Sequence, residues 1–322
     1  FDIVPKCAKR IHLYTDSTDV PDFVTHVTFD DRFNSPIVRK IPTSVTHITF
    51  GNYFNRLIYR DIPSSVTHVM LGRSFIHFVS GSLPTSVTHL KIDPYFVYTS
   101  MRYFVPPSVT HLSFGPNFNL PINTLIPSFV THLAFGEKFN QSIKGCIPES
   151  VTFLDFGVNF NHPIQGCLPD SVTKLFFGEN FNQPINDEIP PFLTHLYFNW
   201  MFNHSIKGCL PFSGNLIYLK LGWSFNQPIE DCIPPSVKHL IFGVEFNQVI
   251  DKCIPNSVNH LTFGKKFNRQ IRNNIPESVT HLEFGQCFNG LLKYIPLSVT
   301  NLTLYLNNHS LDDIPSSVTH LT

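Results

Sequence analysis

Charge is scarce in this 322-residue chain: 23 Lys and Arg balance 23 Asp and Glu, 14% of residues in all, for a formal net charge of zero. So thin and even a distribution lacks the basic footprint of a nucleic-acid or anionic-membrane binder. No apolar run approaches the roughly 20 residues that a membrane-spanning helix requires. The first residues, Phe1-Asp2-Ile3-Val4-Pro5-Lys6, show no charged-then-apolar leader, so the expectation is an intracellular protein. Catalytic signatures are missing too. There is no H-E-x-x-H, G-x-S-x-G, Walker loop or G-x-G-x-x-G, and no Ser, Cys or carboxylate stands once beside an obvious base. The expectation is a non-enzyme without cofactor or metal. Seven cysteines occur without a C-x-x-C pair. Five of them, Cys146, Cys167, Cys209, Cys232 and Cys253, fall in one phase and read as a buried column of free thiols.

What the chain does have is a period. A proline recurs at Pro21, Pro42, Pro63, Pro84, Pro106, Pro127, Pro148, Pro169, Pro190, Pro211, Pro234, Pro255, Pro276, Pro296 and Pro315, and ten of the fourteen intervals are 21 residues. A period this short means a solenoid, in which each unit contacts only its neighbours. Residues 1–20 read as a degenerate first coil or N-terminal cap, and 21–322 as the repeat solenoid.

Within each unit the run T-H-L-x-F alternates and predicts a four- to five-residue strand. Its inward positions are the Leu column (Leu133, Leu154, Leu175) and a Phe column (Phe135, Phe156, Phe177). The position that follows is mostly Gly, with Asp30, Asp93 and Asn199 as exceptions, which predicts a left-handed turn there. Next comes Phe-Asn. The Phe, from Phe33 to Phe288, predict an aromatic spine worth roughly 1.5–3 kcal/mol per buried ring. The Asn, from Asn34 to Asn289, predict a buried hydrogen-bonded ladder. About nine residues remain, too few and too rich in Pro and Gly for a full helix, so turns or 3₁₀ segments are expected on the outer side. The fold class expected is mainly β: a right-handed, leucine-rich-repeat-like solenoid of about 14–15 coils with one long parallel β-sheet.

The frame I-P-x-S-V-T-H-L-x-F-G-x-x-F-N-Q-P-I, matched outright at Phe181-Asn182-Gln183-Pro184-Ile185 and Phe225-Asn226-Gln227-Pro228-Ile229, resembles the FNIP repeat. That family is similar to leucine-rich repeats and is expanded in social amoebae and in giant viruses of amoebae. Its members often carry an F-box that recruits a ubiquitin ligase. The resemblance implies protein recognition, with substrate recruitment for a ubiquitin-ligase adaptor as the finer reading. Host cytoplasm or virion is the compartment implied for a viral member. The alternative is a structural component, for instance of a giant-virus particle, that self-associates through uncapped ends.

Columns that repeat carry the fold, so function is expected where exposed columns vary. A histidine column (His26, His47, His68, His89, His111, His132, His195, His239, His260, His281, His320) precedes the inward Leu. It reads as a stacked structural ladder, with a pH-sensing or metal-binding strip as the competing reading. Two other exposed columns turn large and apolar together in the coils starting at Pro169, Pro190, Pro211 and Pro234. They place Phe176, Tyr197, Trp200, Met201, Trp223, Ile241 and Val244 as neighbours, with Lys174, Tyr218 and Lys220 beside them. Exposed aromatics flanked by Lys predict a protein-binding surface. The competing readings are rings folded onto the sheet edge and a small-molecule site. Tyr95, Tyr98, Arg102 and Tyr103 form a second, weaker cluster. Sequons at Asn140, Asn203, Asn301 and Asn308 read as chance, because two of them are ladder residues expected to be buried.

Overall fold

Each coil opens with a tight turn at its proline: the Val24 N–H donates to Pro21 O at 3.0 Å, and the Val172 N–H to Pro169 O at 3.2 Å. The serine of P-x-S-V ties that turn to the coil before it. Ser44 Oγ donates to Val24 O at 2.7 Å, and Ser257 Oγ to Val237 O at 2.7 Å. The computed structural model describes residues 12–37, 41–93, 101–123, 125–186, 188–212, 214–305 and 313–322. The chain divides into two units, Phe1–Val151 and Thr152–Thr322.

In the first unit the strands are β1 (His12–Thr15), β2 (His26–Phe29), β3 (His47–Thr49), β4 (His68–Leu71), β5 (His89–Ile92), β6 (His111–Phe114) and β7 (His132–Ala134). They pair in chain order, all parallel, with His26 opposite His47 and Val27 opposite Ile48. A single helical turn, α1 (Met101–Phe104), occupies the 22-residue coil. In the second unit β8 (Phe153–Asp155), β9 (Lys174–Phe176), β10 (His195–Tyr197), β11 (Tyr218–Lys220), β12 (His239–Ile241), β13 (His260–Thr262), β14 (His281–Glu283), β15 (Asn301–Thr303) and β16 (His320–Leu321) do the same. Five strands have the four residues that the alternation predicts, and most of the others have three. The outer side is made of turns and a 3₁₀ segment at Leu292–Tyr294.

The inward columns are the core. Val27, Ile48, Leu175 and Leu196 are buried, as are Phe156, Phe177 and Phe198. The Phe-Asn phenylalanines stack coil on coil: Phe33 lies 5.8 Å from Phe54 in the first unit, and Phe181 lies 6.1 Å from both Phe160 and Phe202 in the second. The cysteine column packs inward as free thiols, with Cys146, Cys167, Cys209 and Cys232 buried and Cys253 half-buried. Burial pushes the Cys232 thiol up to about 11.

Two expectations are corrected. The glycine after the strand is not there for a left-handed turn; of that column only Gly157 has a positive φ. Its role is close approach. A Cβ on Gly178 would overlap the carbonyl oxygen of Gly157, and one on Gly264 that of Gly243. The left-handed position lies instead on the outer side, three residues before the proline. It is held by Arg60, Gly81, Gly145, Gly166, Gly208, Asp231, Lys252 and Asn273. The asparagine ladder forms, but on the surface rather than in the core. Asn182 Oδ1 accepts the Asn203 N–H at 3.1 Å and Asn203 Oδ1 the Asn226 N–H at 2.9 Å, while Asn140, Asn182 and Asn203 are exposed. The turn bends outward there, so one side-chain oxygen replaces a ladder carbonyl and the rest stays in water.

Candidate functional site

Strand geometry puts the residue before the inward Leu on the outer face of the sheet. In the first unit this gives an unbroken pile of imidazoles: His26, His47, His68, His89, His111 and His132 stack with 4.0 Å between successive ring centroids. Each ring is held by the residue before it, as in the 2.8 Å contact of Thr46 Oγ1 with His47 Nδ1. Burial, then the neighbouring rings His68, His111 and His132, lowers His89 to about 4. Burial likewise lowers His111. Among the described residues no group of three or more His, Cys, Asp or Glu is placed to hold a metal ion.

In the second unit the pile is interrupted. Position by position along the sheet it reads Phe153, Lys174, His195, Tyr218 and His239, before His260 and His281 resume it at 4.3 Å and 4.0 Å. Two residues on, the outward column reads Asp155, Phe176, Tyr197, Lys220 and Ile241. These two columns mesh into one stack: Phe176 lies 4.3 Å from Tyr197, and Tyr197 lies 4.8 Å from Tyr218. Phe153 closes one end at 5.1 Å from Phe176, and His195 and His239 flank Tyr218 at 5.8 and 5.7 Å. Burial raises both the Tyr197 and the Tyr218 phenol. Burial also raises the Asp155 carboxyl, against the opposing effect of the Gly157 N–H it accepts at 3.0 Å.

Beyond the strand ends the backbone sets a second group. The Trp223 N–H donates to Asn199 O and the Ser224 N–H to Trp200 O, both at 2.8 Å. This puts the two indoles in the same place on successive coils, 5.5 Å apart and tilted by 39°. Trp200 is 55% exposed, Met201 49% and Trp223 49%. The sequence placed all these residues on adjacent coils, and the structure divides them into a stack on the strands and an indole pair at their C-terminal edge. Lys174 stands exposed at the start of β9, and Val244 is half-buried one coil past Trp223.

Four further residues belong to these coils. Phe153 fills a histidine position, Phe192 a serine position and Ile217 a threonine position, and Phe212 follows a proline. Phe192, Phe212 and Ile217 are exposed at the N-terminal edge of the same coils. Each is legible in the sequence as a departure from its column. Of the second cluster, Tyr95 and Tyr98 lie outside the described residues, as does Asn308. Tyr103 is exposed.

Comparison with known proteins is consistent with this architecture. A family model described as the FNIP repeat matches residues 16–53, 33–72, 54–95, 104–138, 139–180, 181–213, 202–245 and 246–287. Among solved structures the chain is similar to CroV588, a circular leucine-rich-repeat protein, at 39% identity over 94% of this chain, with a TM-score of 0.80. It spans 46% of that protein's length. It also aligns with YopM from Yersinia enterocolitica WA-314, at 17% identity over 94% of this chain and 73% of that one, with a TM-score of 0.44. No curated protein matches the chain.

Proposed function

Because the chain belongs to the FNIP-repeat family, we propose that it is a non-catalytic protein-recognition scaffold. Its contact surface is the outer face of the sheet over β9 to β12. Solenoids of this kind present a long, regular surface on which outward residues vary while the core stays fixed. One observation carries the reading: both tryptophans of the chain lie side by side on successive coils, half in solvent, at the edge of the coils whose strand face stacks Phe153, Phe176, Tyr197 and Tyr218. Nothing in the coil requires them there, since the same turn position holds Lys265 and Gln286 further along. Trp and Tyr are among the residues that dominate binding energy at protein interfaces. The partner-binding set is Lys174, Phe176, Tyr197, Trp200, Met201, Tyr218, Lys220, Trp223, Ile241 and Val244, to which the geometry adds Phe153.

Recovery of partners from an amoebal lysate by the tagged wild-type chain, set against a Trp200→Ala/Trp223→Ala variant, tests this. Loss of one or more partners from the variant is the expected result; equal recovery of every partner removes the site. The finer role, substrate recruitment for a ubiquitin ligase, rests on family resemblance. It requires that ligase components co-purify with the chain. Light scattering at several concentrations separates recognition from self-assembly, for which a concentration-dependent mass is the signature.

A further inference from the structure

We propose that the aromatic face takes an extended acidic polypeptide segment carrying a bulky apolar anchor, a proposal that rests on the recognition reading above. The argument begins with what the rings present. Tyr197 is covered on one face by Phe176 at 4.3 Å and on the other by Tyr218 at 4.8 Å. Phe176 is covered on its far side by Phe153, and Tyr218 by His239. With ring faces turned to each other, what this half-buried stack leaves accessible is ring edge. Nucleobases bind on open ring faces, as do the apolar faces of sugars, so this stack suits neither. Ring edges carry the positive side of the aromatic quadrupole and attract carboxylate and carbonyl oxygens.

The charges agree. On the outer face of β10 to β12, with the residue before each strand, stand Thr194, His195, Tyr197, Ile217, Tyr218, Lys220, Lys238, His239 and Ile241. This stretch holds two lysines and no carboxylate, and Lys174 on β9 adds a third cation. The flanking carboxyls are weakened or engaged: burial makes Asp155 harder to ionise, and Glu245 is paired with Lys266. Glu179, half-buried at the turn before Trp200, is the remaining acid of the patch. Cations spaced along strands with no facing anion complement an acidic chain and steer its approach. The indole pair with Met201 supplies the apolar contact at the strand edge, where a large side chain of the incoming segment would seat.

A display library of random 12-residue peptides, selected on the wild-type chain and counter-selected on Trp200→Ala/Trp223→Ala, tests the proposal. Peptides that depend on the tryptophans are expected to be enriched in Asp and Glu around one Trp, Phe or Leu. Labelled copies should bind Lys174→Glu/Lys220→Glu/Lys238→Glu at least tenfold more weakly, and the corresponding triple Gln variant by an intermediate factor. Unchanged circular dichroism shows that each variant is folded. Tryptophan-dependent peptides without acidic enrichment, or bound equally by the triple Glu variant, overturn the proposal and leave recognition at this face standing. Identical selections on the wild type and the tryptophan variant overturn both.

Discussion

Asn259 Oδ1 lies 2.7 Å from Nδ1 of His260, and an amide oxygen can only accept, so His260 carries its proton on Nδ1. Thr194 holds its ring by the same logic. Thr194 Oγ1 has one proton, which it gives to Thr173 O at 2.9 Å, so its 2.9 Å contact with His195 requires an N–H on the imidazole. The Thr194 hydroxyl thus bonds both to the coil before it and to the ring it positions.

A neutral pile of this kind resists protonation, which predicts the direction of acid sensitivity. Burial is the first cause lowering His89 (to about 4), His195, His239 and His260. Next come His68, His111 and His132 for His89, Lys174 and His239 for His195, His281 and Lys238 for His239, and His281 and His239 for His260. A group whose folded pKa lies below its unfolded value of about 6.5 binds fewer protons folded than unfolded. Its contribution is whole above pH 6.5 and is lost as pH falls toward 4. The urea midpoint should hold from pH 7.5 to about 6.5 and then drop steadily toward pH 4.5. His68→Asn/His89→Asn/His111→Asn should flatten that slope, since Asn301 already occupies the column in β15, accepting from Thr300 Oγ1 at 2.9 Å. An unchanged slope in the triple variant excludes the stack as its cause.

Gly178→Ala should cost about 1–3 kcal/mol, because the new methyl meets the backbone of Gly157, which cannot swing aside. Gly166→Asn should cost far less. Its φ is +60°, no atom lies within 4 Å of the added Cβ, and Asn273 holds the equivalent place at +58°. Urea denaturation of both variants ranks them; a reversed order refutes close approach as the reason for the column.

Asn182→Ala removes the acceptor of the Asn203 N–H. The site is exposed and water can take over, so the expected loss is about 0.5–1.5 kcal/mol. A buried ladder would lose more than that, and a melting-temperature comparison distinguishes the two.

Trp200→Ala/Trp223→Ala should leave the urea midpoint close to that of the wild type, because both indoles are half in solvent and outside the core. An affinity loss of 2 kcal/mol or more, roughly thirtyfold, is typical for central interface tryptophans. A large fall in stability together with binding would mark them as packing residues instead.

The 21-residue period determined the architecture without help from tertiary structure. A column such as Leu154, Leu175 and Leu196 can repeat at fixed spacing only if each coil stacks on the last, and alternation around it says which neighbours face in. The family frame, the Phe181 spine, the free thiol column and the outward-facing histidines were all legible on that basis. A period does not say why a position repeats. Glycine at Gly178 and at Gly166 looks alike in sequence, yet one answers to the distance of the next coil and the other to its own φ. Asn182 likewise repeats because of one hydrogen bond, and its exposure depends on the direction in which the turn bends. The candidate surface followed the same division. Departures at Phe176, Trp200 and Trp223 could be seen as unusual residues in regular columns. That Phe153, Phe176, Tyr197 and Tyr218 interleave from two columns into one stack, with the indoles paired apart at the strand edge, was decided by ring size against a coil spacing of about 4.8 Å.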